Sequence, residues 1–172
     1  NNRSFSVNIT HYEHPNLFYA QLNDQFASFD AHFDRFQECC ESTYRLTLAD
    51  LRRALVSSKL DRLAIAARFY TDNLWYRAKL VFNHDLLKLV QDQRFAVAAE
   101  PLSVLVEFVD YGNAQKTLLN TDCVLLTSEF AAYRPCAVKC NGVAYLDTVL
   151  NLKHIKNSVV ENLLFYGRVD AA

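Results

Sequence analysis

Phe108-Val109-Asp110-Tyr111-Gly112-Asn113 is the stretch on which the reading of this chain turns, together with Phe69 and the run Trp75-Tyr76-Arg77-Ala78 upstream of it. Four rings (Phe69, Tyr76, Phe108, Tyr111) and one amide (Asn113) have the chemistry to converge on a small cationic group. They are equally the kind of residues that fill the core of a small β-barrel. The surrounding chain has strand texture. Leu63–Phe69, Leu74–Phe82, Val104–Val109 and Gln115–Leu119 are short, rich in aromatic and branched residues, and bounded by turn residues. Such a succession predicts a small antiparallel barrel or curled sheet, with Thr71-Asp72-Asn73 as its first tight connection.

Working outward, 172 residues suit one domain or two tightly joined lobes, and a 51% hydrophobic, 13% aromatic composition excludes a disordered tail. A net charge of −1 leaves no basic stripe of the kind phosphate backbones need, so nucleic acid is not expected as a direct partner. The five cysteines (Cys39, Cys40, Cys123, Cys136, Cys140) are odd in number and lack framework spacing, which predicts reduced thiols in the cytosol or nucleus. Cys136, Cys140 and His154 lack the paired short spacings of a zinc site, so buried thiols are expected there and no metal or cofactor is assigned. His11 and His14 read as solvated turn residues. Neither a signal peptide nor a long apolar run is present, so no membrane span is expected. A start without Met is expected of a portion excised from a longer chain.

In chain order, Phe5, Val7 and Ile9 alternate with polar residues as a half-buried strand. Residues 11–16 read as a turn, and Leu17–Leu22 as the second strand of a hairpin. Asn23 and Asp24 can cap a helix whose apolar seam is Phe26, Phe29, Phe33, Phe36 and Cys40. Thr47 and Asp50 form a capping-box pattern for a second helix with Leu48, Leu51, Ala54 and Leu55 on its inner face. Residues 83–101 interrupt the strand texture; His84–Val90 is helix-like, and so long an insertion is functional or disordered. Ser128–Tyr133 reads as a short helix stopped by Pro135, Cys136–Cys140 as a strand, Asn141-Gly142 as a turn, 147–161 as a helix and Leu163–Val169 as a final strand. The chain ends then form one lobe with the barrel inserted between them.

The run Ala67-Arg68-Phe69, Trp75-Tyr76-Arg77-Ala78 and Val106-Glu107-Phe108-Val109-Asp110-Tyr111-Gly112-Asn113 resembles the Tudor domain, and its flanks resemble the extended form of that domain. The resemblance implies a mainly β, α+β fold. A small antiparallel Tudor β-barrel (61–133, with the insertion 83–101) is fused by linker helices (24–60) to a staphylococcal-nuclease-like, oligonucleotide-binding-type lobe (1–23 and 134–172). The extended form continues past Leu163–Val169, so either that lobe or the chain is abbreviated. Family members bind symmetrically dimethylated arginine in protein tails. The resemblance carries that cage onto Phe69, Tyr76, Phe108, Tyr111 and Asn113; Tyr70 exchanges with Phe69 on a one-residue shift. It further implies no enzymatic activity. The implied partner is the arginine-rich tail of a Piwi- or Argonaute-type protein, and the implied setting is small-RNA (piRNA) silencing in cytoplasmic perinuclear germ granules (nuage).

Physical chemistry agrees with such a cage. A methylated guanidinium is planar, permanently charged and weakly hydrated, so it slides between ring faces. Each ring contributes roughly 0.5–2 kcal/mol. Methylation keeps the charge but blocks bidentate pairing with a carboxylate, so rings favour the methylated form. Asn113 can accept a guanidinium N–H, which supplies direction. Strand alternation predicts Val109 in the core, Phe108 facing a pocket, and Trp75 packed opposite Tyr76 against the linker helix. Gly112 is expected at positive φ, with Asp110 and Arg77 as scaffolding, paired with each other or with turn amides. Two other functions are open: a scaffold that takes unmodified peptide through the phenylalanine helix or the 83–101 insertion, and RNA binding by the outer lobe.

Overall fold

The computed structural model describes residues 5–14, 17–57, 60, 63–92, 101–140 and 163–165. The expected Asn141-Gly142 turn, the helix over 147–161, the strand end past Phe165 and residues 93–100 of the insertion lie outside them. The chain opens with strands β1 (Phe5–His14) and β2 (Leu17–Leu22), then helices α1 (Asn23–Asp30), α2 (Phe33–Ser42) and α3 (Leu48–Val56). Strands β3 (Ile65–Arg68) and β4 (Trp75–Leu80) follow, then helix α4 (His84–Gln91) and strands β5 (Ser103–Phe108) and β6 (Ala114–Leu118). After them come α5 (Leu119–Asp122), β7 (Cys123–Leu125), α6 (Ser128–Ala131), β8 (Ala137–Cys140) and β9 (Leu163–Phe165). Two compact units result: Asn1–Ala31 with Val109–Asn113 and Pro135–Ala172, and His32–Phe108 with Ala114–Arg134.

The first unit holds an antiparallel sheet in the order β8-β2-β1-β9, so both chain ends contribute to it. Phe18 and Ala20 form its core, with Ile9 and Cys140 packed against them. The turn expected over 11–16 is shorter than predicted: β1 runs on to His14. Two register shifts make this possible, one between Ile9 and His11 and one between Tyr12 and His14. A bulge absorbs one residue without ending the pairing, so polar residues continue the strand.

The single seam of Phe26, Phe29, Phe33, Phe36 and Cys40 is carried by two helices, not one. The chain breaks at Ala31-His32, where His32 sits at the N-cap of α2 without a side-chain capping bond. α1 packs on β1 and β2, whereas α2 packs on β4. Each half buries its own part of the seam, Phe29 in the first unit and Phe36 and Cys40 in the second. α3 starts on the expected capping box: Asp50 N–H donates to Thr47 Oγ1 at 3.3 Å, and Thr47 N–H donates to Asp50 Oδ2 at 2.9 Å.

The second unit is built on an antiparallel sheet in the order β6-β5-β4-β3-β7. Its first four strands fall on the stretches read as strands. β7 does not: three residues are too short to show a period, and it is identified by its pairing with β3 (Ile65↔Leu125, Ala67↔Cys123). Part of the insertion is ordinary packed helix. Asn83 Oδ1 accepts Leu86 N–H at 2.8 Å, Leu86 and Val90 are buried, and Arg52 of α3 donates to Asp92 O at 2.6 Å.

Candidate functional site

Phe69, Tyr76 and Phe108 meet in the second unit. Their ring centroids lie 6.1 Å (Phe69–Tyr76), 5.5 Å (Phe69–Phe108) and 5.9 Å (Tyr76–Phe108) apart, at interplanar angles of 87°, 85° and 82°. The three rings are thus mutually perpendicular, each edge against a neighbour's face, the geometry that aromatic quadrupoles favour. Phe108 is buried at 1% exposure, while Phe69 and Tyr76 are half-buried. The group therefore has a floor and two accessible sides. Tyr70, the alternative to Phe69, is 80% exposed.

Local sequence explains this convergence. The β3–β4 connection is a tight turn in which Asn73 takes φ 61°, a left-handed conformation that Asn tolerates. Phe69 N–H donates to Leu74 O at 2.9 Å and Asn73 N–H donates to Phe69 O at 2.9 Å. Those bonds fix Phe69 beside the start of β4, where Tyr76 follows. Cross-strand pairing of Ala78 with Phe108 brings β5 alongside. A fourth ring was not singled out from sequence: Phe33 of α2 lies 5.9 Å from Tyr76. Its place in an amphipathic seam read as core packing, with partner docking by that seam as the alternative. Phe69 also lines a cavity of about 300 Å³, together with Arg68, Tyr70, Gln115, Thr117 and Asp122 among others.

Trp75 points away from Tyr76, as alternation predicts, and is fully buried against α2. Gln37 clasps its backbone from both sides, accepting Trp75 N–H at 2.9 Å and donating to Trp75 O at 2.8 Å. The indole N–H donates to Glu41 Oε1 at 3.0 Å. Arg45 and Arg68 place their guanidinium carbons 4.8 and 4.7 Å from the indole centroid. The indole N–H first, and the charges of Arg68 and Arg45 after it, hold the Glu41 carboxyl below its ordinary range. A depressed folded-state pKa supports stability above the unfolded value and loses that support as pH falls through the folded one. Fluorescence of this sole tryptophan is therefore expected to stay flat down to the ordinary Glu value of about 4.3 and to change only below it. Glu41→Gln should remove that transition, and a midpoint at or above the ordinary value would contradict the network.

The other two predicted residues, Tyr111 and Asn113, belong to the first unit. Strand β5 ends at Phe108, and residues 109–111 are a turn. This corrects the alternation argument: Phe108 shares the buried face of Val104 and Val106, and Val109 is only half-buried. Alternation holds only within a strand, and Val109 is past its end. The turn is clamped by the first unit's strands. Thr10, the residue skipped by the first β1 register shift, donates its hydroxyl to Tyr111 O at 2.7 Å. Gln21 Nε2 donates to Asp110 O, Cys136 N–H donates to Asp110 Oδ1 at 3.0 Å, and Ala137 N–H donates to Val109 O at 3.1 Å. Phe26 sets its ring at 76° to Tyr111 with centroids 6.0 Å apart. Gly112 has φ 84°, and a Cβ there would run into the Tyr19 ring. Asn113 Oδ1 is shielded from solvent and has no hydrogen-bond partner among the described residues. Leaving such an acceptor unpaired costs about 1–3 kcal/mol.

Asp110 and Arg77 both serve the scaffold. Arg77 is buried and donates to the carbonyls of Phe130 (3.2 Å), Tyr133 (2.7 Å) and Arg134 (3.0 Å), at and beyond the C-terminal end of α6. Burial pushes the thiols of Cys40 and Cys123 up to about 12, so both are inert small hydrophobes at neutral pH. Among the described residues no group of three His, Cys, Asp or Glu side chains could hold a metal ion, and no helix is long and apolar enough to cross a membrane.

The family model of the Tudor domain matches residues 1–141. The chain belongs to the Tudor domain family. Human RING finger protein 17 is 39% identical over 70 residues, which are 41% of this Tudor domain's chain and 4% of that protein. A crystal structure of Tudor superposes with a TM-score of 0.59 at 16% identity, covering 90% of this chain and 76% of that one. The Drosophila melanogaster Papi extended Tudor domain, crystallised with a symmetrically dimethylated Piwi N-terminal peptide, gives a TM-score of 0.54 at 20% identity over 80% of this chain and 59% of that one. The same domain crystallised with the unmethylated peptide gives 0.55 at 19% identity over 86% and 64%. The chain thus spans less than two thirds of the Papi domain and a small fraction of RING finger protein 17. Tudor domains are binding modules, and the mixed α/β architecture with its curled antiparallel sheets matches the solved members.

Proposed function

We propose that this Tudor domain reads symmetrically dimethylated arginine in the arginine-rich tail of a Piwi-type protein, with Phe69, Tyr76, Phe108, Tyr111 and Asn113 contacting the modified side chain. The observation that carries the reading is the perpendicular triad of Phe69, Tyr76 and Phe108, with two accessible rings over a buried one. The unpaired Asn113 Oδ1 supports it, since a guanidinium N–H is the donor it lacks. The dimethylated Piwi peptide held by the Papi domain supports the partner class. In this reading 1–23 and 134–172 form the nuclease-like lobe, 24–60 the linker and 61–133 the barrel. The domain carries out no reaction and acts as a scaffold of piRNA silencing in cytoplasmic germ granules.

Calorimetric titration with matched plain, symmetric and asymmetric dimethylarginine peptides tests this. A Kd on the order of micromolar is expected for the symmetric form. Asn113→Ala and Tyr111→Ala should each erase the preference over plain peptide, as loss of a hydrogen bond to a charged group (about 1.5–3 kcal/mol) or of a ring contact would. Unchanged preference in both variants overturns the site. The second reading, a scaffold for unmodified peptide, is favoured by the Papi domain's complex with unmethylated peptide, and equal binding of all three forms would establish it.

A further inference from the structure

The triad is held by a charged group that neither the family match nor the relatives assign. Asp72 sits in the β3–β4 turn with both carboxylate oxygens engaged. Oδ1 accepts Leu74 N–H at 3.0 Å, the usual task of a turn aspartate. Oδ2 accepts the hydroxyl of Tyr76 at 2.7 Å. The first bond alone would close the turn, so the second is surplus to it. Around the same ring, Phe33, Phe69 and Phe108 stand at 5.9, 6.1 and 5.9 Å. Those neighbours hold the body of the ring, and Asp72 holds its polar end.

The geometry points to Asp72 as a positioning and specificity residue of the ring triad: it locks Tyr76 and makes that ring a better acceptor for a cationic guanidinium. A phenol that donates to a carboxylate is a charge-assisted pair. It pushes electron density into the ring and deepens the negative face that attracts a cation. The exposed carboxylate also adds direct attraction for a positive ligand, which salt screens. This rests on the proposed function, and it names the chemistry that function selects: a permanently charged methylated guanidinium over a neutral side chain of the same shape.

The test is a double-mutant cycle read by calorimetry with the symmetric dimethylarginine peptide. Asp72→Ala and Tyr76→Phe should each weaken binding about 3–10-fold, and the double variant should be no weaker than the worse single one, because both remove one interaction. Asp72→Asn keeps an acceptor for Leu74 N–H, so its melting temperature should hold while affinity falls. Asp72→Glu should restore part of the loss. Multiplying losses in the double variant, or an Asp72→Asn affinity within twofold of wild type, overturns the proposal. If the wild-type domain shows no preference for methylated peptide, the proposed function fails on its own. The Asp72 assignment is then judged by nuclear magnetic resonance: Asp72→Ala must shift the Tyr76 ring protons, and unmoved resonances overturn it.

Discussion

Trp75→Ala is expected to lower the unfolding free energy by about 3–5 kcal/mol, the cost of deleting a large buried ring from a packed core. The indole is wholly buried and is also the hub of a charge network. Its loss takes the N–H from Glu41 and the ring from beneath Arg45 and Arg68, each cation–π contact being worth roughly 0.5–2 kcal/mol. The Gln37 clasp survives because it grips backbone. At about 2–4 °C per kcal/mol for a chain of this size, the melting temperature should fall by roughly 6–20 °C in circular dichroism. Tyr70→Ala is the matched control: that ring is mostly exposed, and its removal should stay within about 0.5 kcal/mol. A Trp75→Ala loss as small as that of Tyr70→Ala would contradict the packing.

Gly112→Ala is expected to cost about 2–6 kcal/mol, from two sources that act together. A non-glycine residue held at φ 84° carries strain of about 1–3 kcal/mol. The new methyl group also strikes the Tyr19 ring, and overpacking of that kind costs about 1–3 kcal/mol. Chemical denaturation would measure the sum. Gly112→Asn separates the sources, because Asn tolerates the left-handed conformation but still carries a Cβ. Adding Tyr19→Gly to Gly112→Ala should relieve the clash and leave the strain, because the close approach involves the Tyr19 Cβ as well as its ring. If the proposed site is the one in use, peptide binding should fall as well, since Tyr111 and Asn113 flank the displaced residue. A cost for Gly112→Ala under about 0.5 kcal/mol would show that the close approach is relaxed in solution.

Much of the fold was legible because its signals are local. The capping box at Thr47 and Asp50, the turn at Thr71–Asn73 and the positive φ of Gly112 each follow from a residue type and its immediate neighbours. Four of the five strands of the second unit's sheet announced themselves by texture and by bounding turns. The misses share the opposite property. β7 is too short to carry a period and exists through its pairing with β3. The break between α1 and α2 is silent in a seam that stays continuous across it. β1 crosses a polar stretch on two bulges, which no alternation rule foresees.

For the candidate site, residue identity alone determined the chemistry: rings and an amide suit a weakly hydrated cation, and a near-neutral chain does not suit a phosphate backbone. Sequence also determined that Gly112 must bend the turn between Tyr111 and Asn113. Only tertiary structure shows which of the neighbours Phe69 and Tyr70 packs against Tyr76 and Phe108: Phe69 does, while Tyr70 is mostly exposed. It took Val109 out of the core and placed Phe108 on the buried face of β5, because the strand stops between them. It brought in Phe33 and Asp72, which are 43 and 4 residues away from Tyr76 along the chain and were read as part of the phenylalanine seam and as turn. And it decided what holds Val109–Asn113: Thr10, Tyr19, Gln21 and Cys136, each far away in sequence. The reason is common to all of these. A residue's chemistry and its backbone preference are local and travel with the sequence, whereas the partner that meets it across space is set by how the whole chain packs.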